Sequence, residues 1–566
     1  MGSSTSAQMR FRSSRFRGRY HFVSIAIVLA AGGTLAAVGS GLSDGGSSGG
    51  GSRATGAPAP TEGGTLTVAL GAAPGSLDPA RLADQASATL VWNLMDPLVR
   101  LGDDLEPRPG LARSWTVSPD GRRLTFHLHE NARWTNGDPV TARDVAYAWR
   151  RVLSPDIDSA HAPRLFGVKG AAAFHRCIGL FQCRRLARAL GIRARGVHEL
   201  VVTLDRPRPW FPVQLAHPAL VAVHPETVRR FGDEWTSPQR IVTNGPFVLA
   251  RLGETSVSLV KNPDWRGAVD VELARVEALV ISNATARVQA FDAGDVMALD
   301  GSGLPATELP ALRERREFET YAALSTYAYA FNTDSVSDVR QRRAMALAID
   351  RTALVENVTQ LGEAPATGLS PPELVGDDEQ RVSPWLPPDG DVGVAREELE
   401  RAADVERRIT LAHPDAPGHR AIALAVREAW RDLGIETTIR AVDAERYLDS
   451  QGPFRQGDVY QLDLAYGLPE ALPGLVVWTC EADRNKTDWC SPGYDRLLKR
   501  ARRETSGAGR RTLYERAEEL LVGEQGAMPV VPIFWRTYPN LESLRVAESL
   551  EIEPHGVIDL TGVELR

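Results

Sequence analysis

Cys177 and Cys183 stand six residues apart and Cys480 and Cys490 ten apart, the four cysteines of a 566-residue chain. Neither spacing is that of a zinc site or of a redox Cys-x-x-Cys pair. In an exported chain they read as two local bridges, each closing a loop, with one free and buried pair as the alternative. His127 and His129, followed by Glu130, suggest a metal pair, but no third histidine lies at ligand spacing and a solvated strand face accounts for them. Gly45-Gly-Ser-Ser-Gly49 has the Gly-x-Ser-x-Gly form of a hydrolase elbow. It sits in a low-complexity run, without the flanking strand and helix that strain such a serine into reactivity. No Gly-Lys-Ser/Thr phosphate loop occurs. No nucleophile with a base beside it emerges, and no metal or cofactor site.

The elements that frame these residues begin with an address. Arg10, Arg12, Arg15, Arg17 and Arg19 precede an apolar run from Phe22 to Val38 and a Gly/Ser stretch through Ser52, the order of an export signal without paired arginines. Ala37-Val38-Gly39-Ser40 offers a cleavage site that releases the protein. Uncleaved, the apolar run approaches the length needed to anchor it in a bilayer of roughly 30 Å. Residues 40–60 have too little apolar content to fold and read as a flexible tether. Taking the five leader arginines from the formal charge of −7 leaves −12, an acidic body that argues against a nucleic-acid partner.

Behind the tether, Thr65–Leu70 alternates as a strand and leads into the turn-rich Pro74-Gly-Ser76. Leu124, Phe126 and Leu128 share one face of a second strand. Thr141 and Asp144 form a capping-box pair ahead of Val145, Trp149 and Val152 at helical spacing. Strands are predicted at Val197–Leu204, Ser256–Val260 and Thr326–Thr333. A βαβ unit follows: the strand Ile409–Ala412, a helix through Ile422, Val426 and Trp430, a stop at Gly434, and the strand Ile435–Val442. A last helix near Arg511–Val522 precedes the strand Val530–Trp535.

Six short runs occur in order: Gly64-Thr-Leu-Thr-Val68, Leu77-Asp-Pro79, Trp134-Thr-Asn-Gly-Asp138, Asn244-Gly-Pro-Phe247, Phe331-Asn-Thr333 and Ala348-Ile-Asp-Arg351. Together they resemble the family-5 extracytoplasmic solute-binding proteins of ABC transporters, the oligopeptide- and dipeptide-binding receptors. The resemblance implies an α/β, two-lobed, periplasmic-binding-protein-like clam-shell of type II in its three-domain variety. On that pattern residues 1–39 are signal peptide or anchor and 40–60 tether. Residues 61–106 and 236–321 build the first lobe, 107–235 a small extra domain within it, 322–521 the second lobe, and 522–566 the return to the first. The implied function is capture of an oligopeptide or peptide-like solute by a monomer, at the outer face of the membrane or beyond it, for delivery to ABC permease subunits. No catalysis and no cofactor are expected. The same fold also serves oligosaccharides, metal chelates and opines, and a surface ligand sensor without transport is a further alternative.

The resemblance also nominates a site. Family members that take peptides pair the α-amino group with an acid after an aromatic-containing strand. Here Asp463-Leu-Ala-Tyr-Gly-Leu-Pro-Glu470 lacks the usual aspartate, which leaves Glu470 as the nearest substitute. Pro74, Gly75 and Ser76 are candidates for one lip of the cleft, and Tyr327 and Tyr329 for the other. Trp478 and Trp489, beside Cys480 and Cys490, are candidates for stacking on ligand from a clipped loop at the same cleft. Asn244 either lines the cleft or holds a strand entry. Trp134–Asp138 reads as a turn that builds the small domain. The segment Lys169–Arg195 goes beyond the family pattern and reads as a solvated surface excursion. Contact with the permease or an anionic lipid surface is the alternative, prompted by Arg176, Arg184, Arg185 and Arg188.

Overall fold

The computed structural model describes residues 63–566 apart from 103, 302, 306, 376–384, 417, 444–445, 448–456, 484, 547–548 and 554–555. The leader and tether read over residues 1–60 lie outside the described residues. Thr65–Leu70 (β1) starts exposed and ends buried, and becomes the second strand of a five-stranded sheet. Phe247–Leu252 (β2), Ser256–Lys261 (β3), Arg275–Val280 (β4) and Ala298–Leu299 (β5) complete it in the order β5-β1-β4-β3-β2. β1 lies parallel to β4 and β5, so these strands end together on one rim. The helix Gln85–Leu94 starts at the Asp84 cap and is fixed from its inner side by the far end of the chain. Trp92 Nε1 donates to Asp559 Oδ2 at 3.0 Å, and Asn93 Nδ2 to the Ile558 carbonyl at 2.8 Å.

A smaller antiparallel sheet is inserted between β1 and β2 in sequence. Its strands Ala112–Val117, Arg123–Leu128, Glu199–Thr203 and Ile192–Arg195 lie side by side in that order. Leu124, Phe126 and Leu128 are buried, as are Val145, Trp149 and Val152 of the helix Ala142–Val152. That helix begins where the capping residues predict, with the Thr141 N–H on Asp144 Oδ2 at 2.9 Å. In the Trp134–Asp138 turn the Trp134 N–H bonds the Asp138 carbonyl and the Gly137 N–H the Trp134 carbonyl, both at 2.8 Å. Gly137 takes φ +90°, which a side chain would strain. Thr135 N–H reaches the Thr243 carbonyl, tying this sheet to the approach of β2.

The second lobe is a six-stranded sheet made of Phe318–Phe331 (β6), Ala364–Pro365 (β7), Arg408–Pro414 (β8), Glu436–Val442 (β9), Val459–Ala465 (β10) and Val530–Leu541 (β11), in the order β7-β11-β6-β10-β8-β9. β8 and β9 are parallel and joined by the helix His419–Arg431, whose Ile422, Val426 and Trp430 are buried against the sheet. Arg351 is wholly buried and donates to the carbonyls of Ala346, Ile349 and Pro532, which explains its place in the Ala-Ile-Asp-Arg run. A buried guanidinium needs several acceptors, and these three carbonyls supply them.

β6 and β11 are longer than the alternation predicts, because they serve both lobes. Phe318–Ala322 pairs with Thr537–Leu541, and Leu541 packs with Ala69 and Val288 of the first lobe. Thr326–Ala330 pairs with Val530–Trp535 inside the second lobe's core. The register slips between Ala322 and Thr326, at the crossing. On β11 the side chains from Trp535 to Tyr538 are partly exposed on both faces, so the period-2 signal fades where the strands leave one lobe for the other.

Candidate functional site

Parallel strands gather ligands at their carboxyl ends, and the rims of both sheets meet at the crossing of β6 and β11. On the second lobe that rim carries a column of rings. Phe534 of β11 stacks on Tyr327 of β6 (4.7 Å, 17°), Tyr327 on His419 (5.6 Å, 24°), and His419 on His413 (6.4 Å, 21°). Tyr327 Oη lies 3.0 Å from His419 Nδ1 and 3.5 Å from Tyr329 Oη. His413 ends β8 and is buried. Its Nδ1 carries the proton it gives to the Pro414 carbonyl at 2.8 Å, and its Nε2 has no hydrogen-bond partner among the described residues.

Over the rings lies a charged layer. The Arg536 guanidinium sits 5.4 Å from the Tyr327 ring and 5.8 Å from that of Phe534, and its Nε donates to Asp463 Oδ1 at 2.8 Å. Gln461 Nε2 donates to Asp463 Oδ2 at 3.2 Å. The Asp463 side chain is 40% exposed and that of Arg536 28%, so the pair faces open space. Burial pushes the His419 imidazole down to about 4; Asp463 opposes this while Arg536 and His413 add to it, leaving the ring neutral at neutral pH. Burial, with the neighbouring Tyr329, raises the Tyr327 phenol well above its ordinary value. Burial works against the Arg536 cation, but Asp463 outweighs it and holds the guanidinium above its usual range.

β10 supplies backbone as well. It pairs with β6 from Val459 to Ala465, but with β8 only at Leu411↔Val459 and Ala412↔Tyr460. The Tyr466 N–H bonds the Leu324 carbonyl on the β6 side. With strand polarity alternating, the peptide groups of Asp463, Ala465 and Gly467 are turned to the other edge, where no described strand pairs with them. Arg164 of the small domain reaches the Gly467 carbonyl from there at 2.8 Å. Just past the carboxyl ends of β1 and β5, the first lobe has the Gly71 N–H on Asp300 Oδ2 at 2.8 Å, with Gln85 Nε2 bonded to the carbonyls of Asp300 and Gly556. Among the described residues no three His, Cys, Asp or Glu side chains converge as metal ligands.

The sequence candidates fall into different places. Pro74, Gly75 and Ser76 follow β1 at the rim, with the Gly75 N–H on Asp84 Oδ2 and the Ser76 N–H on Ser87 Oγ. Tyr327 and Tyr329 are fully buried and back the wall; Arg536 and Asp463 are its surface. Glu470 is not a free anchor: its Oε1 accepts from Tyr514 Oη and from Arg510 Nε, and the residue is buried with both. Asn244 does not line the cleft. It is buried at the far end of the helix Gln85–Leu94, where Oδ1 accepts from the Asp96 N–H at 3.2 Å.

Cys177 is bonded to Cys183 and Cys480 to Cys490. The Cys480–Cys490 loop, however, is not at the cleft. Thr333, just past the distal end of β6, bonds the Thr487 carbonyl through both its N–H and its Oγ1. At about 3.3 Å per residue this point lies roughly 20 Å along the strand from Tyr327. Trp478 is buried there, and Trp489 packs edge-on to Tyr494.

His413, His419, Asp463 and Arg536 were not among the candidates. The βαβ unit was the available signal for the histidines, since they bracket its first strand-to-helix turn. Arg536 lies one residue beyond the predicted end of its strand.

A family model described as bacterial extracellular solute-binding proteins, family 5, middle, matches residues 106–486. The chain is 30% identical over 477 residues to the probable deoxycholate-binding periplasmic protein YgiS of Escherichia coli, covering 82% of this chain and 86% of that protein. It is 30% identical over 489 residues to the periplasmic murein peptide-binding protein MppA of the same organism, with 83% and 87% covered. The MppA murein tripeptide-binding protein in its unliganded open form superposes with a TM-score of 0.77 at 27% identity, over 89% of this chain and 98% of that one. A second MppA structure gives 0.61.

Proposed function

Because the chain belongs to the bacterial extracellular solute-binding proteins of family 5, a family of receptors and not of enzymes, we propose that it captures oligopeptides or peptide-like solutes between its lobes and delivers them to the permease of an ABC importer. The observation that carries this reading is the β10 edge at Asp463 and Ala465, with which no described strand pairs, lying beside the exposed Asp463–Arg536 pair. An extended peptide can add to such an edge through main-chain hydrogen bonds, which hold any sequence. Its α-ammonium then has Asp463 as partner, in place of the Glu470 anchor that the sequence suggested. Closure of the lobes about β6 and β11 buries the solute and creates the form a permease recognises. A relative named for a murein peptide supports the choice of ligand. The lobe boundaries set out above, a monomeric state and a location at the outer face of the membrane or beyond it belong to the same proposal, with one boundary corrected: Val530–Trp535 belongs to the second lobe's core, so the return to the first lobe begins near Thr537 and not at residue 522.

A second reading keeps the receptor and changes its cargo. Arg536 over the Phe534–Tyr327–His419 column offers one cation above a flat apolar wall, which suits an amphipathic organic anion, and a relative is named for deoxycholate. Native mass spectrometry of the chain purified without refolding, with the released molecules identified, decides between them. Co-purified short peptides support the first reading; a sterol-like acid or another non-peptide supports the second. Reproducible cleavage of a ligand by the pure protein would remove both. Uptake of the ligand that persists in a strain lacking the protein would point to a sensor.

A further inference from the structure

From Ser159 to His198 the chain has no aspartate or glutamate and eight lysines and arginines, within a protein of net charge −7. In the middle of this segment the helix Ala171–His175 turns through a tight loop into the helix Leu180–Ala189. The Cys177–Cys183 bond closes the loop, the Cys183 N–H bonds the Gly179 carbonyl, and Ile178 N–H bonds Gln182 Oε1. Cys177, Leu186 and Ala187 pack inward on the small domain's core. That orientation turns Ile178, Leu180 and Phe181 out to 79%, 63% and 91% exposure. They are three of the nine large apolar side chains that stand exposed among the described residues, gathered within four positions, and Phe181 is the one aromatic. One helical turn behind them Arg184, Arg185 and Arg188 are exposed and form no ion pair among the described residues.

We infer that this loop is a lipid-surface anchor: Ile178, Leu180 and Phe181 enter the interfacial layer of an anionic bilayer, and Arg184, Arg185 and Arg188 meet the lipid phosphates. Apolar side chains at a tip with cations a turn behind are the arrangement that an interface rewards, since the rings and methyls reach the acyl boundary while the guanidinia stay among the headgroups. The disulfide fixes the tip beforehand, so little conformational entropy remains to be lost on insertion. Charge selects the lipid. An acidic body is repelled by an anionic surface, and the acid-free segment is the part that can approach, which also sets the orientation of the protein on the membrane. The inference does not depend on which solute the cleft takes.

The test is hydrogen–deuterium exchange of the full chain mixed with phosphatidylglycerol–phosphatidylcholine vesicles, against pure phosphatidylcholine vesicles. Exchange across residues 178–188 should slow about fivefold or more on the anionic vesicles only, and recover at high salt. Ile178→Ser, Leu180→Ser and Phe181→Ser together should abolish the protection. So should Arg184→Gln, Arg185→Gln and Arg188→Gln together. Both variants should keep the parent's solute affinity and melting temperature, since all six side chains are exposed. The comparison is local and made between matched chains, so attachment through the apolar leader does not alter it. Unchanged exchange on phosphatidylglycerol vesicles overturns the proposal and hands the patch to a protein partner. Protection that survives the arginine substitutions overturns it equally.

Discussion

Arg536 and Asp463, 73 residues apart, meet through a 2.8 Å hydrogen bond laid across the ring of Tyr327 on the strand between them. Asp463→Asn removes the acid that would receive a peptide's ammonium. Affinity for a peptide with a free amino terminus should fall by about 2 kcal/mol, roughly thirtyfold, while an N-acetylated peptide is affected far less. Titration calorimetry with the two peptides checks this; equal losses would assign Asp463 to holding the wall.

Glu470→Ala should act on stability and leave binding alone. It strands Arg510 and Tyr514, both buried on the Glu470 carboxylate, at a cost of about 3 kcal/mol. Urea denaturation reads the first effect and calorimetry the second. A lost ligand with unchanged urea midpoint would return Glu470 to the site.

His419 makes the second lobe sensitive to acid. Its folded-state pKa of about 4 lies below the ordinary value of 6.5, so between these two the unfolded chain binds the proton and the folded one does not. The neutral ring's contribution is therefore complete above pH 6.5 and is lost as the pH falls towards 4. His419→Gln removes this dependence. Between pH 7 and pH 4 the variant's melting temperature should gain on the parent's by roughly 1–3 °C.

The Cys480–Cys490 bond closes a loop at the end of the lobe away from the cleft. Replacing both cysteines with alanine should lower stability by about 2–3 kcal/mol, the loop-closure value for this length. Solute affinity should not change. A tenfold loss of affinity in the double variant would bring Trp478 and Trp489 back to the ligand.

Much of this architecture was legible because periodic burial writes itself into the chain. The strand of Leu124, Phe126 and Leu128, the Thr141–Asp144 helix start and the βαβ unit closed by Gly434 all follow from residues that pack locally. The wall of the proposed site was less legible, because its parts arrive from four distant strands and a helix start. Tyr327 could be named from alternation; that Arg536 would cover it could not, since the register of β11 on β6 slips just there. Glu470 misled for the converse reason. A carboxylate near the expected position in sequence says nothing of the arginine and tyrosine that a later helix brings to it.

β1 finds its parallel partner β4 some two hundred residues later, and Trp92 and Asn93 find theirs 467 and 465 residues on, at Asp559 and Ile558. A chain delivered amino end first, from a ribosome or through a translocation pore, therefore holds an unfinished first lobe until Ile558 and Asp559 emerge. Non-local pairing of this kind is slow to form. The topology delays completion of the receptor's oldest-synthesised part, and it makes the segment at Ile558 and Asp559 the clasp of the amino-terminal fold. Removing the residues beyond Leu550 should accordingly unravel structure near residue 90 before it disturbs the sheet of the second lobe.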